Sequence, residues 1–408
     1  MKAYPKMYMM LPLMLGWLFA ACSAPVAQLN AQDIAVKGET VYTMAGDPIE
    51  NGVVLIRNGR IDRVGPASRV SIPDGFDVYE APFVTPGIID TRSVVGLSGI
   101  LNIPHDQDQL ETSNPFQPDL RAIDAYNARE DLVVWLRNLG VTTVHTGHGP
   151  GALASGQTLI AKTWGHTVEE AVINPAAMVA FTLGPTVSSN YGGSPGTRSR
   201  MVAMLRAEFI KAQEYSAQEN PTRDLKMETM VSILNGEMRA MIHAHQVSEM
   251  MSALRLQQEF GFELVLEGAS EAYLLIDELK EAGVHIILHP TMVRTRGETT
   301  NAAFNTAAKL AEAGIPFTFQ SGFEGYVPKT RVVHFETAIA VANGLPFEHG
   351  LRALTIDAAR FLGIDDRTGS LERGKDADVV LWEGDPFEYT SRVCTVIING
   401  ELASNRCQ

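Results

Sequence analysis

Positive charge is what this chain has least of. Its 408 residues carry 33 Lys and Arg against 47 Asp and Glu, a formal net charge of −14. No basic stripe offers phosphates a counter-surface, so nucleic acid is not an expected partner. Internal repeats and low-complexity tracts are absent. No Gly-rich phosphate loop follows the first strand of the central region, which leaves an open doubly wound sheet without support. Cysteine is scarce, at three residues, and charged residues make up 20% of the chain against 45% hydrophobic. That balance describes a soluble globular protein, and the length allows one large domain with an appendage or two domains.

The start of the chain is distinct from the rest. Lys2 and Lys6 precede "MYMMLPLMLGWLFAAC", an apolar stretch ending in small residues and Cys22. It reads as a secretory signal, to be left out of the fold. "FAAC" is similar to a bacterial lipobox, in which Cys22 would be lipidated, with Phe19 where Leu is usual and ordinary cleavage nearby as the alternative. The run falls short of the ~20 residues a membrane span needs. Residues 1–22 are therefore expected to direct export to the periplasm or to an outer-membrane lipoprotein, with a membrane met only through the lipid. Cys394 and Cys407 flank an Asn399-Gly400 hairpin signal that brings them near each other. In an oxidising compartment they can pair as a disulfide, and two unpaired thiols is the other reading.

Residues 33–84 alternate apolar and polar positions around Asn-Gly and Asp-Gly turns, and the same character returns in "DADVVLWEG" and "CTVIINGEL". A small composite β-sandwich is expected from 33–84 together with 370–408. Between them, residues 85–369 alternate short apolar runs with amphipathic ones such as "VSEMMSALRLQQEF". Eight strands are predicted, at 84–90, 141–145, 158–162, 178–183, 239–243, 263–267, 285–289 and 316–320. Eight βα units predict an α/β fold, a (β/α)8 TIM-type barrel with its site at the C-terminal ends of the strands. The Gly/Ser/Pro stretch 188–196 reads as a surface connection or a cover for the barrel mouth.

At this point the motifs resemble a family. "TIDAARFLGIDDRTGSLERGKDADVVLWEGDP" (355–386) resembles the C-terminal signature of the amidohydrolase superfamily, and "RNGRIDRVG" with "FVTPGIID" resembles its N-terminal counterpart. "LGVTTVHTGHGPGALASGQTLIAKT" and "DLKMETMVSILNGEMRAMIHAHQVSEMMSAL" are similar to the imidazolonepropionase-like, metal-dependent branch. The resemblance implies a barrel with a composite sandwich. It also implies hydrolysis at a carbonyl or C–N centre by a metal-bound hydroxide, with zinc the expected ion, one or none. It implies a small-molecule substrate and allows self-association into a homo-oligomer.

The resemblance also shows what this site lacks. The His-x-His pair expected after the first strand is replaced by Arg92 and Val94. Arginine presents only donors and stays protonated, so it cannot ligate a cation. Its charge can stand in for an absent metal, orient a carboxylate substrate, or salt-bridge an acid at the barrel mouth. Lys162 ends the third strand, where relatives place a bridging group; an ordinary Lys paired with an acid is the alternative. His243 in "MIHAH" matches the ligand of the fifth strand, and His245 would face the same way with period two. Glu267 stands at the end of the sixth strand, either as a ligand or as an acid neutralising Arg92 or Lys162. At the eighth strand Ser321 and Gly322 stand where the base Asp is expected, with Glu324 nearby in a loop.

His145, beside His148, and His289 end two further strands and can complete a non-standard set with His243. The expected metal residues are thus His243, Lys162, Glu267, His145 and His289, with Arg92 and Glu267 as catalytic groups. Three readings follow: an exported hydrolase of non-peptide C–N or related carbonyl-centred bonds with a rearranged site, a catalytically inactive binding or structural protein, and a metal-free enzyme using Arg92 as an electrophilic clamp.

Overall fold

Short β-branched runs punctuated by glycine turns build both ends of the chain into one sheet. The computed structural model describes residues 33–406 apart from 102, 293–294 and 324–329, so the expected signal at 1–22, with Cys22, lies outside the described residues, as do Cys407 and Glu324. The terminal sheet has seven strands, in the order Glu401–Asn405, Val393–Ile398, Val379–Trp382, Asp77–Pro86, Ile34–Val41, Ile49–Arg57 and Arg60–Pro66. The two ends do meet, and the expected sandwich takes the form of this single mixed sheet. Its core includes Ile34, Val36, Val54, Ile56, Val379 and Ile397. Asn399 and Gly400 both have positive φ, 51° and 76°, as a type I′ hairpin turn requires. Cys394 is disulfide-bonded, and the amide of Arg406, the neighbour of Cys407, donates to the Cys394 carbonyl at 2.8 Å.

Eight central strands form, the first later than the expected 84–90 because residues 84–86 belong to the terminal sheet: β1 Ile88–Ser93, β2 Val141–Thr146, β3 Leu159–Lys162, β4 Met178–Thr182, β5 Arg239–Ala244, β6 Leu264–Gly268, β7 His285–Leu288 and β8 Phe317–Phe319. Strands β4 to β8 pair in parallel, each with the next, and β1 pairs in parallel with β2. Buried on both faces, these strands read as near-continuous apolar runs rather than alternating ones. Ser93 bridges to Gly322, and the Gly322 amide donates to the Arg92 carbonyl at 3.2 Å, joining the β1 and β8 edges.

One strand departs from the expected parallel barrel. β3 runs antiparallel to β2, with Leu159 opposite Thr146 and Lys162 opposite Thr143. The short strand Ala154–Gln157 just before it pairs antiparallel with β4. The segment 154–162 thus closes the gap between β2 and β4 by crossing it in reverse. The fold is a TIM-barrel-type α/β arrangement with mixed sheets. The reversal also inverts the ends of β3: its first residue lies toward the mouth and its last, Lys162, toward the floor.

The interior is packed, not open. Ile89, Ile160, Met178, Met241, Val265 and Ile287 meet inside, and the helix Ile356–Leu362 plugs the floor with Ala358, Ala359 and Phe361. Shortening Met241 to Ala would open a void costing about 2–5 kcal/mol. Outside, helix Val247–Phe260 buries Met250, Ala253 and Leu254 and ends at Gly261, φ 76°. Among the described residues no helix is long and apolar enough to cross a membrane.

Candidate functional site

The chain turns that end the strands build the site. His243 is the penultimate residue of β5, and the helix Val247–Phe260, which starts four residues later, opens with a reciprocal cap between Gln246 and Glu249. The Glu249 carboxylate accepts from the amides of His245 and Gln246, each at 3.1 Å, and Arg198 holds its other oxygen at 2.9 Å. This cap fixes the turn that carries His245 beside His243. Their rings meet edge to face, 4.7 Å apart.

Glycine makes that approach feasible. A Cβ on Gly268, which has φ 88°, would sit 2.9 Å from Cε1 of His245 and 3.3 Å from Cε1 of His243. Gly322, φ 69°, backs His289 in the same way, with a Cβ there falling 2.7 Å from the ring.

These residues line a cavity of about 470 Å³ at the C-terminal ends of β4 to β8, which Thr182, His243, Glu267, His289 and Gln320 reach from successive strands. Arg331 and Arg296 stand at its rim. Ahead of the 188–196 stretch, Thr186 also lines it and donates to Glu298 at 2.9 Å.

Behind the pocket lies Arg92, 1% exposed. Its Nη1 donates to the Ser93 carbonyl at 2.8 Å and its Nη2 to the His148 carbonyl. Its Nε stands 3.4 Å from Oε1 of Glu267, and Nδ1 of His243 stands 3.7 Å from the same oxygen. Arg92 is not among the pocket-lining residues. Its guanidinium is engaged by Glu267 and by two backbone carbonyls rather than facing the cavity.

Charges follow from this arrangement. Burial alone would raise the Glu267 carboxyl, but Arg92 and His243 outweigh it and hold it down at about 2. Burial opposes charge on His243 too, yet Glu267, with help from Glu298 and Glu249, raises its pKa above 6.5. His245 goes the other way. Burial first, then the charges of His243 and His289, press it well below 6.5, so it is a neutral imidazole, and its Nδ1 is buried with no hydrogen-bond partner. Burial and the Arg92 charge likewise depress His148 to about 4.

Two expected metal residues do not join this group. Lys162 is carried to the barrel floor by the reversed β3, where its amine pairs with Asp378 and with Asp376 at 3.4 Å; the alternative of an ordinary Lys paired with acids holds. His145 is fully buried with both ring nitrogens occupied, at 2.7 Å from the Thr91 carbonyl and 2.6 Å from the Thr158 hydroxyl. Burial, then the Arg92 charge, depresses it to about 3. No ring nitrogen of His145 is left for an ion.

The end of β8 also differs by one residue from the expectation. Ser321 turns away from the pocket and donates its hydroxyl and its amide, the latter at 3.0 Å, to Asp90. Gln320 faces the pocket instead, its Nε2 held by the Ile287 carbonyl at 3.0 Å and its Oε1 without a hydrogen-bond partner. Asp90, the last residue of "FVTPGIID", is completely buried and was not singled out from the sequence. Burial raises it to about 6, with the Ser321 and Arg92 hydrogen bonds and the His289 charge holding it from rising further.

Compared with known proteins, residues 112–403 match the model of the "Amidohydrolase family". Among curated relatives, the amidohydrolase tasK of Hapsidospora irregularis is 23% identical over 390 residues, covering 86% of this chain, although the chain spans only 39% of that protein. The imidazolonepropionase of Shewanella oneidensis is 24% identical over 394 residues, 87% of this chain and 93% of that one. A solved amidohydrolase structure from Thermotoga maritima MSB8 superposes with a TM-score of 0.84 at 30% identity, over 91% of this chain and all of that chain.

Amidohydrolases generally use divalent metals. Such a site needs several neutral His and carboxylate donors converging on one point. Among the described residues no three His, Cys, Asp or Glu side chains are close enough to hold an ion, and the carboxylate that faces the pocket is already paired with a guanidinium. The residues present do not fit the metal.

Proposed function

Because the chain belongs to the amidohydrolase family, we propose that it is a hydrolase of small molecules, breaking C–N bonds other than peptide bonds in the mouth pocket. The observation that carries this reading is the placement of His243 and His245 edge to face, 4.7 Å apart, on one cavity, where Glu267 raises the pKa of the first and burial lowers that of the second. Opposite protonation states on neighbouring groups are what acid–base catalysis requires.

The roles follow from those states. Protonated His243, anchored by Glu267, donates a hydrogen bond to the substrate oxygen and stabilises the negative charge that develops on it. His245 accepts a proton from water as the water oxygen bonds to the carbon. The C–N bond then breaks, and that proton passes to the departing nitrogen. Arg92 keeps Glu267 ionised, and Glu267 keeps His243 charged.

A second reading, binding without turnover, draws on the failure of the donor set to fit an ion. Release of amine from a panel of cyclic and acyclic amides and amidines, assayed with the purified mature chain, separates the two. Turnover lost in His245→Gln supports the hydrolase. Saturable binding with no turnover of any compound overturns it in favour of a binding protein.

The sequence of residues 1–22 supports export, to the periplasm or to the outer membrane as a lipoprotein on Cys22. The mass of the mature N-terminal peptide tests this. Self-association is tested by sedimentation.

A further inference from the structure

We propose that the buried guanidinium of Arg92 is a built-in cation standing where a divalent ion would otherwise sit, so that the mouth pocket operates without metal. This goes beyond the hydrolase reading and does not depend on it.

Three observations carry the inference. Arg92 ranks among the largest fully buried side chains, and a buried charge persists only where it is paired and hydrogen-bonded. Here two backbone carbonyls take its Nη groups and Glu267 faces its Nε at 3.4 Å. Second, Glu267 is the carboxylate lining the pocket, and it lies against this guanidinium. An ion binding Glu267 would meet a fixed like charge across one carboxylate, in a medium that screens poorly. Third, two of the expected donors are committed elsewhere, so that His243, His245 and His289 line the pocket with a carboxylate that a guanidinium already holds. His145 spends both nitrogens on Thr91 and Thr158, Lys162 sits on the floor with Asp376 and Asp378, and β8 presents Gln320, an amide.

Arginine serves this purpose better than lysine in one respect. Its planar fork donates to two carbonyls while its Nε stands in ion-pair range of a carboxylate, and it never loses its proton. The charge is therefore constant across the pH range in which a bound ion would come and go.

The test is elemental analysis for zinc, iron and manganese on the full mature chain, purified from zinc-supplemented medium without chelator, together with thermal melts with added zinc and with chelator. The expected result is no stoichiometric metal and a Tm that neither treatment moves. Stoichiometric metal, with a Tm that falls on chelation, overturns the proposal, and this arm needs no variant to fold. Arg92→Met then asks whether the guanidinium is what excludes the ion. Its zinc affinity, read from zinc-dependent Tm, is expected to rise at least about tenfold, while Arg92→Lys, which keeps a cation, stays indifferent to zinc. A folded Arg92→Met chain with no gain in zinc affinity also overturns the proposal. Absence of turnover on every substrate would sink the hydrolase reading and leave these results unchanged.

Discussion

Two buried ionic clusters lie at opposite ends of the same strands, and they are built to different standards. On the floor, Lys162 is 2% exposed and its partners are saturated. Asp378 also accepts from the Thr368 hydroxyl at 2.7 Å and the Asn399 amide at 3.1 Å. Asp376 also meets Arg367 at 3.0 Å and Arg60 at 3.2 Å. At the mouth, Arg92, Glu267 and His243 meet at 3.4 and 3.7 Å, and the neighbouring His245 has an unpartnered Nδ1 beside a cavity. The first cluster ties the terminal sheet to the barrel. The second leaves hydrogen-bonding capacity for something that enters. Charge burial alone does not distinguish a fastener from a site, whereas the completeness of its hydrogen bonding does.

The largest expected effect lies on the floor. Lys162→Met leaves the buried Asp378 without its cation and should cost about 3–5 kcal/mol of stability, measured by denaturant midpoint; a loss below about 1 kcal/mol would deny the cluster its fastening role. At the mouth the cost should fall on rate instead. His245→Gln is expected to lower kcat by about 10²-fold or more with little change in stability, and a kcat within a factor of about two of wild type would remove His245 from the mechanism.

A smaller effect separates the clusters by pH. The folded-state value of Glu267, about 2, lies below its ordinary 4.5. Its contribution is therefore full above about 4.5 and is lost as pH falls through about 2, worth about 3 kcal/mol. Titrating stability in wild type and Glu267→Gln should show this acid slope only in wild type. His243 has the opposite sign. Raised above 6.5, its contribution is present below that value and fades as pH rises through the folded one, and kcat should decline with it on the alkaline side. As a scale for all of these, Arg206→Ala breaks the exposed Arg206–Glu259 pair at 2.8 Å and should shift stability by no more than about 0.5 kcal/mol.

Much of this was legible in the residues. The eight strands could be placed because apolar β-branched runs end in glycine or polar turns, and His243 with His245 because side chains alternate along a strand. The direction of β3 was not legible. Four residues, Leu159–Lys162, pair equally well either way, and the choice is made by Ala154–Gln157 pairing back onto β4. That is why Lys162 was expected at the mouth and lies at the floor. The misplacement at β8 is one residue long. Phe319 packs into the outer core, so the inward face carries Thr318 and Gln320, and Ser321 falls on the other side. A one-residue slip in register exchanges the faces of a strand.

The reversed β3 also sets a rule for re-engineering this scaffold. A designer who wished to restore a bridging ligand from the third strand would gain nothing by mutating its last residue. The position that points toward the mouth is its beginning, next to Thr158, whose hydroxyl already engages His145. A bridging group grafted there would displace that hydrogen bond and free one imidazole nitrogen. In this chain the route to a new ligand therefore runs through position 158.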